Sequence, residues 1–95
     1  MELKIYWTDF SKKELQNIFD YYKENASLKI AKSLTLGIAK ETLKLKKQPE
    51  IGQIEELLID RSNDFRYLVY KNYKIIYWIN KKENRIEIND VFDSR

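Results

Sequence analysis

The chain contains no cysteine and no histidine. Without cysteine there is no disulfide, no thiolate nucleophile and no cysteine-based zinc site. Without histidine the usual general base and the commonest metal ligand are missing, and no Ser-His-Asp triad can form. Any catalysis has to rest on Lys, Arg, Tyr, Asp or Glu. Glycine occurs only at positions 37 and 52, and proline only at 49. A glycine-rich phosphate loop is excluded, and the chain should consist of regular elements joined by short turns. No apolar run approaches membrane-spanning length, and Met1 leads straight into a mixed strand pattern, not a signal peptide. The expectation is a soluble cytoplasmic protein that uses no cofactor and no metal.

What is present is globular in composition. The 95 residues are 43% hydrophobic and 35% charged, which fits one domain spanning residues 1–95. A domain of this size buries a modest core, so a partner can matter to its stability. The net charge of +3 permits a polyanionic or acidic partner without requiring one.

Apolar periodicity lays out the elements. Leu3, Ile5 and Trp7 alternate with polar neighbours, as in a half-buried strand. Leu15, Ile18, Phe19 and Tyr22 then repeat at helical spacing, which predicts an amphipathic helix ending near Asn25. Ser11 and Glu14 have capping-box spacing, with Phe10 and Leu15 placed as a staple, and Thr8 is a competing cap one turn earlier. A second helix is predicted over 27–47, stopping before Pro49. Its apolar residues form two stripes: Ile30, Ala31, Leu34, Ile38 and Leu45, then Leu28, Leu36, Ala39 and Leu43. Together they cover more than one sheet can bury, so part of this surface is expected to face the first helix or a partner. Lys29, Lys32, Lys40, Lys44 and Lys47 occupy the remaining, solvated face.

"QPEIG" reads as a turn, and "IEELLID" is ambiguous between a helical turn and an extended connector. Three strands follow, at about 65–71, 73–80 and 85–92, with turns at Lys71-Asn72 and "NKKEN". Their short connections make them an antiparallel meander. The predicted fold is α+β in the order β-α-α-β-β-β: an antiparallel sheet with a helical hairpin packed on one face.

Alternation sorts the strand residues into two faces. Phe65, Tyr67, Val69, Tyr73, Ile75, Tyr77, Ile79, Ile86 and Ile88 are assigned to the helix side. Arg66, Leu68, Tyr70, Lys74, Ile76, Trp78, Glu87, Asn89 and Val91 are assigned to an open side that no helix covers. An open face of rings and cations suggests an RNA platform. The element order and the missing glycine-containing aromatic motif argue against it, and the aliphatics between the rings argue for protein contact. The carboxylates Glu55, Glu56 and Asp60 define no acid–base pair by spacing. Asp90 and Asp93 suit strand-end ion pairs better than a metal site.

The stretches "WTDFSKKELQNIFDYY", "LKLKKQPEIGQIEELL", "FRYLVYKNYKIIYWI" and "IEINDVFDSR", in this order, resemble the RelE/ParE superfamily of bacterial type II toxins over essentially the whole chain. The resemblance implies a toxin neutralised by a cognate antitoxin, with either the ribosome and its mRNA or DNA gyrase as target. For the RNA-cleaving branch it implies charge-stabilising roles for Arg66, Lys74 and Arg95. Leu68 stands where that branch has a second cation, and Phe92 can serve as neither acid nor base. The reading therefore leans to gyrase inhibition, with a ribosome-dependent mRNA endoribonuclease and a non-toxic antitoxin-binding relative as alternatives. Expected partner contacts are Leu68, Tyr70, Ile76 and Trp78 on the sheet and Leu28, Leu36 and Leu43 on the second helix.

Overall fold

A computed structural model describes residues 2–58 and 64–95. It contains strand β1 (Lys4–Trp7), helices α1 (Asp9–Asn25) and α2 (Leu28–Thr42), and strands β2 (Gln53–Ile54), β3 (Phe65–Tyr70), β4 (Tyr73–Asn80) and β5 (Arg85–Asp93). The sheet order is β1-β5-β4-β3-β2. The meander is antiparallel as expected, whereas β1 pairs parallel to β5, with Ile5 beside Ile86 and Trp7 beside Ile88. The intervening helical hairpin supplies the long crossover that a parallel pair needs. The helices lie on one face of the sheet, α1 over β5 and α2 reaching β3.

Local chemistry sets the boundaries. Thr8, not Ser11, caps α1: its Oγ1 accepts from the Ser11 amide at 3.1 Å. Ser11 is fully buried, and its hydroxyl donates back to the Thr8 carbonyl at 2.9 Å. The Thr8 amide in turn donates to the Ile88 carbonyl, which welds the helix start to β5. Ser27 caps α2 in the same way through the Ile30 amide. Toward Pro49, α2 tightens into a 3₁₀ turn over Leu43–Lys46. The ambiguous "IEELLID" resolves into the short β2 and a 3₁₀ turn over Glu56–Leu58, and Asp60 lies outside the described residues. At the β3–β4 hairpin Lys71 takes a positive φ of 55°, as the primed two-residue turns of hairpins require of a central residue.

The core collects Leu34, Ile38, Leu45, Leu68, Tyr73, Ile75, Tyr77, Ile86, Ile88 and Val91. This corrects the face assignment of β3. Leu68 pairs with Ile75 and Arg66 with Tyr77, so Arg66, Leu68 and Tyr70 share the helix side. Phe65, Tyr67 and Val69 face the open side, and Val69 is exposed. A second correction concerns β5. Tyr77 pairs with Ile88 but Ile76 pairs with Asp90, leaving Asn89 as an extra residue. This bulge reverses the alternation beyond it. Val91, expected on the open side, is 1% exposed in the core.

Gly37 on α2 faces Tyr70 of β3. A Cβ there would overlap the tyrosine hydroxyl and ring carbons. We predict that Gly37→Ala costs about 1–2 kcal/mol in urea unfolding, because overpacking outweighs the helix propensity gained. In a Tyr70→Ala background the same change should be neutral or stabilising. Equal costs in both backgrounds would show that the ring is not what demands glycine.

Candidate functional site

The three cations picked out for transition-state stabilisation do not converge. Arg66 lies on the helix side, where its guanidinium donates to the Glu50 carbonyl at 3.2 Å and the Gly52 carbonyl at 2.9 Å. Tyr77 completes this anchor. Its buried hydroxyl donates to the Pro49 carbonyl at 2.7 Å and accepts from the Gly52 amide at 3.0 Å. Burial raises the Tyr77 hydroxyl's pKa, with the Gly52 amide opposing, so it stays neutral and able to donate. Together Arg66 and Tyr77 satisfy the carbonyls of a turn whose Gly52 has no room for a side chain. In this geometry Arg66 is a loop anchor.

Lys74 lies on the opposite face. It contacts Glu55 at 3.0 Å and sits 4.2 Å from the Tyr67 ring centroid. Glu55 is 5% exposed, so the lysine neutralises a buried carboxylate. Arg95 pairs with Asp93 at 2.9 Å near the β3–β4 turn, where Ser94 donates twice to the Asn72 carbonyl. The Arg95 contacts hold the Asp93 carboxyl well below the usual range. Arg85 stacks over Tyr6 and pairs with Glu87 at 2.8 Å. Burial alone would raise the Glu87 carboxyl's pKa, but donors from Asn80, Arg85 and Trp78 outweigh it and lower the net value. These cations are engaged with carboxylates or carbonyls before any phosphate arrives.

The expected protein contacts divide. Leu68 is 8% exposed, and Tyr70 is partly buried against the core on the helix side, so neither belongs to the open face. Trp78 is partly exposed and donates to Glu87 at 3.1 Å. Leu28, Leu36 and Leu43 are about half exposed, as the second stripe of α2 implied. Leu36, Ala39 and Leu43 face Ile5 and Trp7 across a groove of 610 Å³ between α2 and β1. Among the described residues the outer edge of β1 pairs with no other strand, because β1 ends the sheet.

Ile76 instead forms part of a second concavity, 660 Å³, on the open face. Phe10, Glu55, Leu57, Phe65, Asn89, Asp90 and Phe92 complete its lining. Simple alternation misses most of these residues, yet the sequence carries a signal for them. Ile86 and Ile88 are two apart and Val91 follows at three, a spacing that marks the bulge.

The five-stranded mixed sheet with a helical hairpin on one face and an open concavity on the other is an α+β architecture, as the resemblance to RelE/ParE toxins implied. The family model described as "ParE toxin of type II toxin-antitoxin system, parDE" matches residues 5–95, so the chain belongs to that family. A chain in the solved structure of the "Chromosomal ParDE TA system from P. aeruginosa" superposes with a TM-score of 0.80 at 14% identity. The superposition covers 99% of this chain and 98% of that one, and at this identity it speaks for the fold. No curated protein sequence matches. Among the described residues no helix is long and apolar enough to cross a membrane.

The Asp90 carboxyl gives a pH test of the site. Burial raises its pKa, the Val91 amide partly opposes this, and the Glu14 charge adds to the rise. A carboxyl raised above its unfolded value destabilises the fold once it ionises, so stability falls as pH climbs past the ordinary value of 3.8. Asp90→Asn should therefore raise the melting temperature at pH 7 and leave it nearly unchanged at pH 3. A loss of stability confined to pH 7 would mean that the carboxylate makes a favourable contact instead.

Proposed function

We propose that this protein arrests growth by ParE-like inhibition of DNA gyrase, in the cytoplasm, and is neutralised by a cognate antitoxin. The observation that supports this target over mRNA is the dispersal of the cations. Phosphodiester cleavage needs charge-stabilising and proton-transfer groups aimed at one reacting centre. Here Arg66 and Lys74 lie on opposite faces, and Arg95 is held by Asp93. Family membership supports the toxin class itself.

The α2–β1 groove is the surface we assign to the antitoxin. Leu36 and Leu43 offer an apolar contact for an amphipathic segment, and the free β1 edge offers backbone hydrogen bonds to an added strand. Both leucines are half exposed, so charged replacements should leave the fold intact.

Purified protein should block gyrase supercoiling, and its induction should arrest growth with mRNA left uncut. Unimpaired supercoiling at excess toxin, or codon-phased mRNA cuts after induction, would overturn this reading. Expression without growth arrest would point to a non-toxic relative. Mutational tests of Lys74 need care, because its loss strips the partner from buried Glu55. Lys74→Met should be compared in a Glu55→Gln background, where toxicity is expected to persist. For the antitoxin, Leu36→Glu with Leu43→Glu should weaken binding by about a hundredfold or more in titration calorimetry. Undiminished binding would place the antitoxin elsewhere.

A further inference from the structure

The open-face concavity differs in chemistry from the rest of the molecule. Ile76 lies at its floor, between Tyr67 on β3 and Asp90 on β5. Phe65 and Phe92 flank it, and Phe10 and Leu57 rise at its margins, 59% and 89% exposed. Solvent-facing apolar side chains around one concavity are the usual composition of a protein-contact surface. The chain carries a net charge of +3, yet among the described lining residues there is no lysine or arginine, and of the two carboxylates Glu55 is neutralised by Lys74, which leaves Asp90 as the one without a cation.

The polar atoms are as one-sided as the charges. Asn89 Oδ1 and Asp90 Oδ1 are enclosed and have no hydrogen-bond partner among the described residues. Both are acceptors. Enclosed acceptors without donors are costly, and since both residues are partly exposed, a partner's N–H can approach their side chains from the concavity. The bulge places both groups here, because the extra residue turns Asp90 away from the core.

We propose that this concavity docks a segment of the inhibited protein that presents an aliphatic or aromatic side chain beside a lysine or arginine. The apolar side chain packs among Phe10, Leu57 and Phe92 above the buried Ile76, and the cation or its N–H meets Asp90 and Asn89. A phosphate backbone is disfavoured at the same place, because it brings negative charge to carboxylates and acceptors to acceptors. The surface is separate from the α2–β1 groove, so target and antitoxin contacts can be altered independently. The inference rests on the proposed function only in assigning the segment to the target of inhibition.

Two measurements decide it. In the first, the full chain is titrated with a blocked octapeptide of alternating leucine and arginine, with its leucine–glutamate counterpart, and with a short oligouridylate, while amide and methyl NMR shifts are followed. The basic peptide should bind at least about tenfold tighter than either other probe, against the protein's own net charge. Its shifts should map to Phe65, Ile76 and Phe92 rather than to Leu36 and Leu43. Leu57→Lys alters a side chain at the rim that is almost wholly exposed, so it should fold, and it should weaken the peptide by about tenfold. Preference for the acidic peptide or the oligonucleotide, shifts confined to α2, or binding unaffected by Leu57→Lys would each overturn the proposal. In the second, Leu57→Lys is compared with wild type in gyrase supercoiling. Equal inhibition by both proteins removes the docking proposal and leaves gyrase as target. No inhibition by wild type removes gyrase as target, and the peptide titration then decides the docking proposal alone.

Discussion

One extra residue in β5 organises both faces of the molecule. Were Asn89 paired in register instead of bulged, strict alternation from Ile86 and Ile88 would send Asp90 and Phe92 into the core and Val91 out. The bulge resets the phase, so Val91 packs with Ile75 and Tyr73 while Asp90 and Phe92 emerge beside Ile76. The same step that closes the core thus furnishes the concavity. It also leaves two enclosed acceptors without donors among the described residues, a local cost of the kind retained at binding sites.

Around that step, two anchors hold the rest in place. Tyr77 and Arg66 fasten the turn at 49–52 to the sheet, so the chain enters β2 and the Glu56–Leu58 turn from a fixed position. Glu55 then reaches Lys74, and Leu57 reaches the rim of the concavity. On the other side, Gly37 admits Tyr70, which seats α2 and leaves its second stripe facing outward. The result is two apolar surfaces of different character. One is a groove beside a free strand edge, suited to an added segment. The other is an acidic concavity suited to a basic apolar one.

Much of this fold was legible in the residues. Helical periodicity separated two stripes on α2, of which Ala31, Leu34, Ile38 and Leu45 are buried and Leu28, Leu36 and Leu43 exposed, with Ile30 of the first stripe also half exposed. The meander followed from short connections. The faces of β3 were misread because the one polar residue, Arg66, shares its set with Leu68 and Tyr70, while Phe65, Tyr67 and Val69 carry no charge. The contrast points the wrong way, since Arg66 lies inward only because it anchors the turn at 49–52. Register against β4 decides it. The expected cations are split between the two faces for the same reason, since Arg66 travels with Leu68 and Tyr70 to the helix side. The concavity depends on a bulge and on a helix start at Asp9, features that arise from pairing and capping geometry.

The phase of β5 is the claim on which the rest stands, and paired core truncations test it most directly. Urea unfolding of Val91→Ala should show a loss of about 2 kcal/mol, because a fully enclosed side chain leaves a cavity. Phe92→Ala, although it removes far more atoms, should cost less than about 1 kcal/mol, because the ring already meets solvent. The reverse order, with Phe92 costly and Val91 nearly neutral, would contradict the bulge and with it the placement of the acidic concavity.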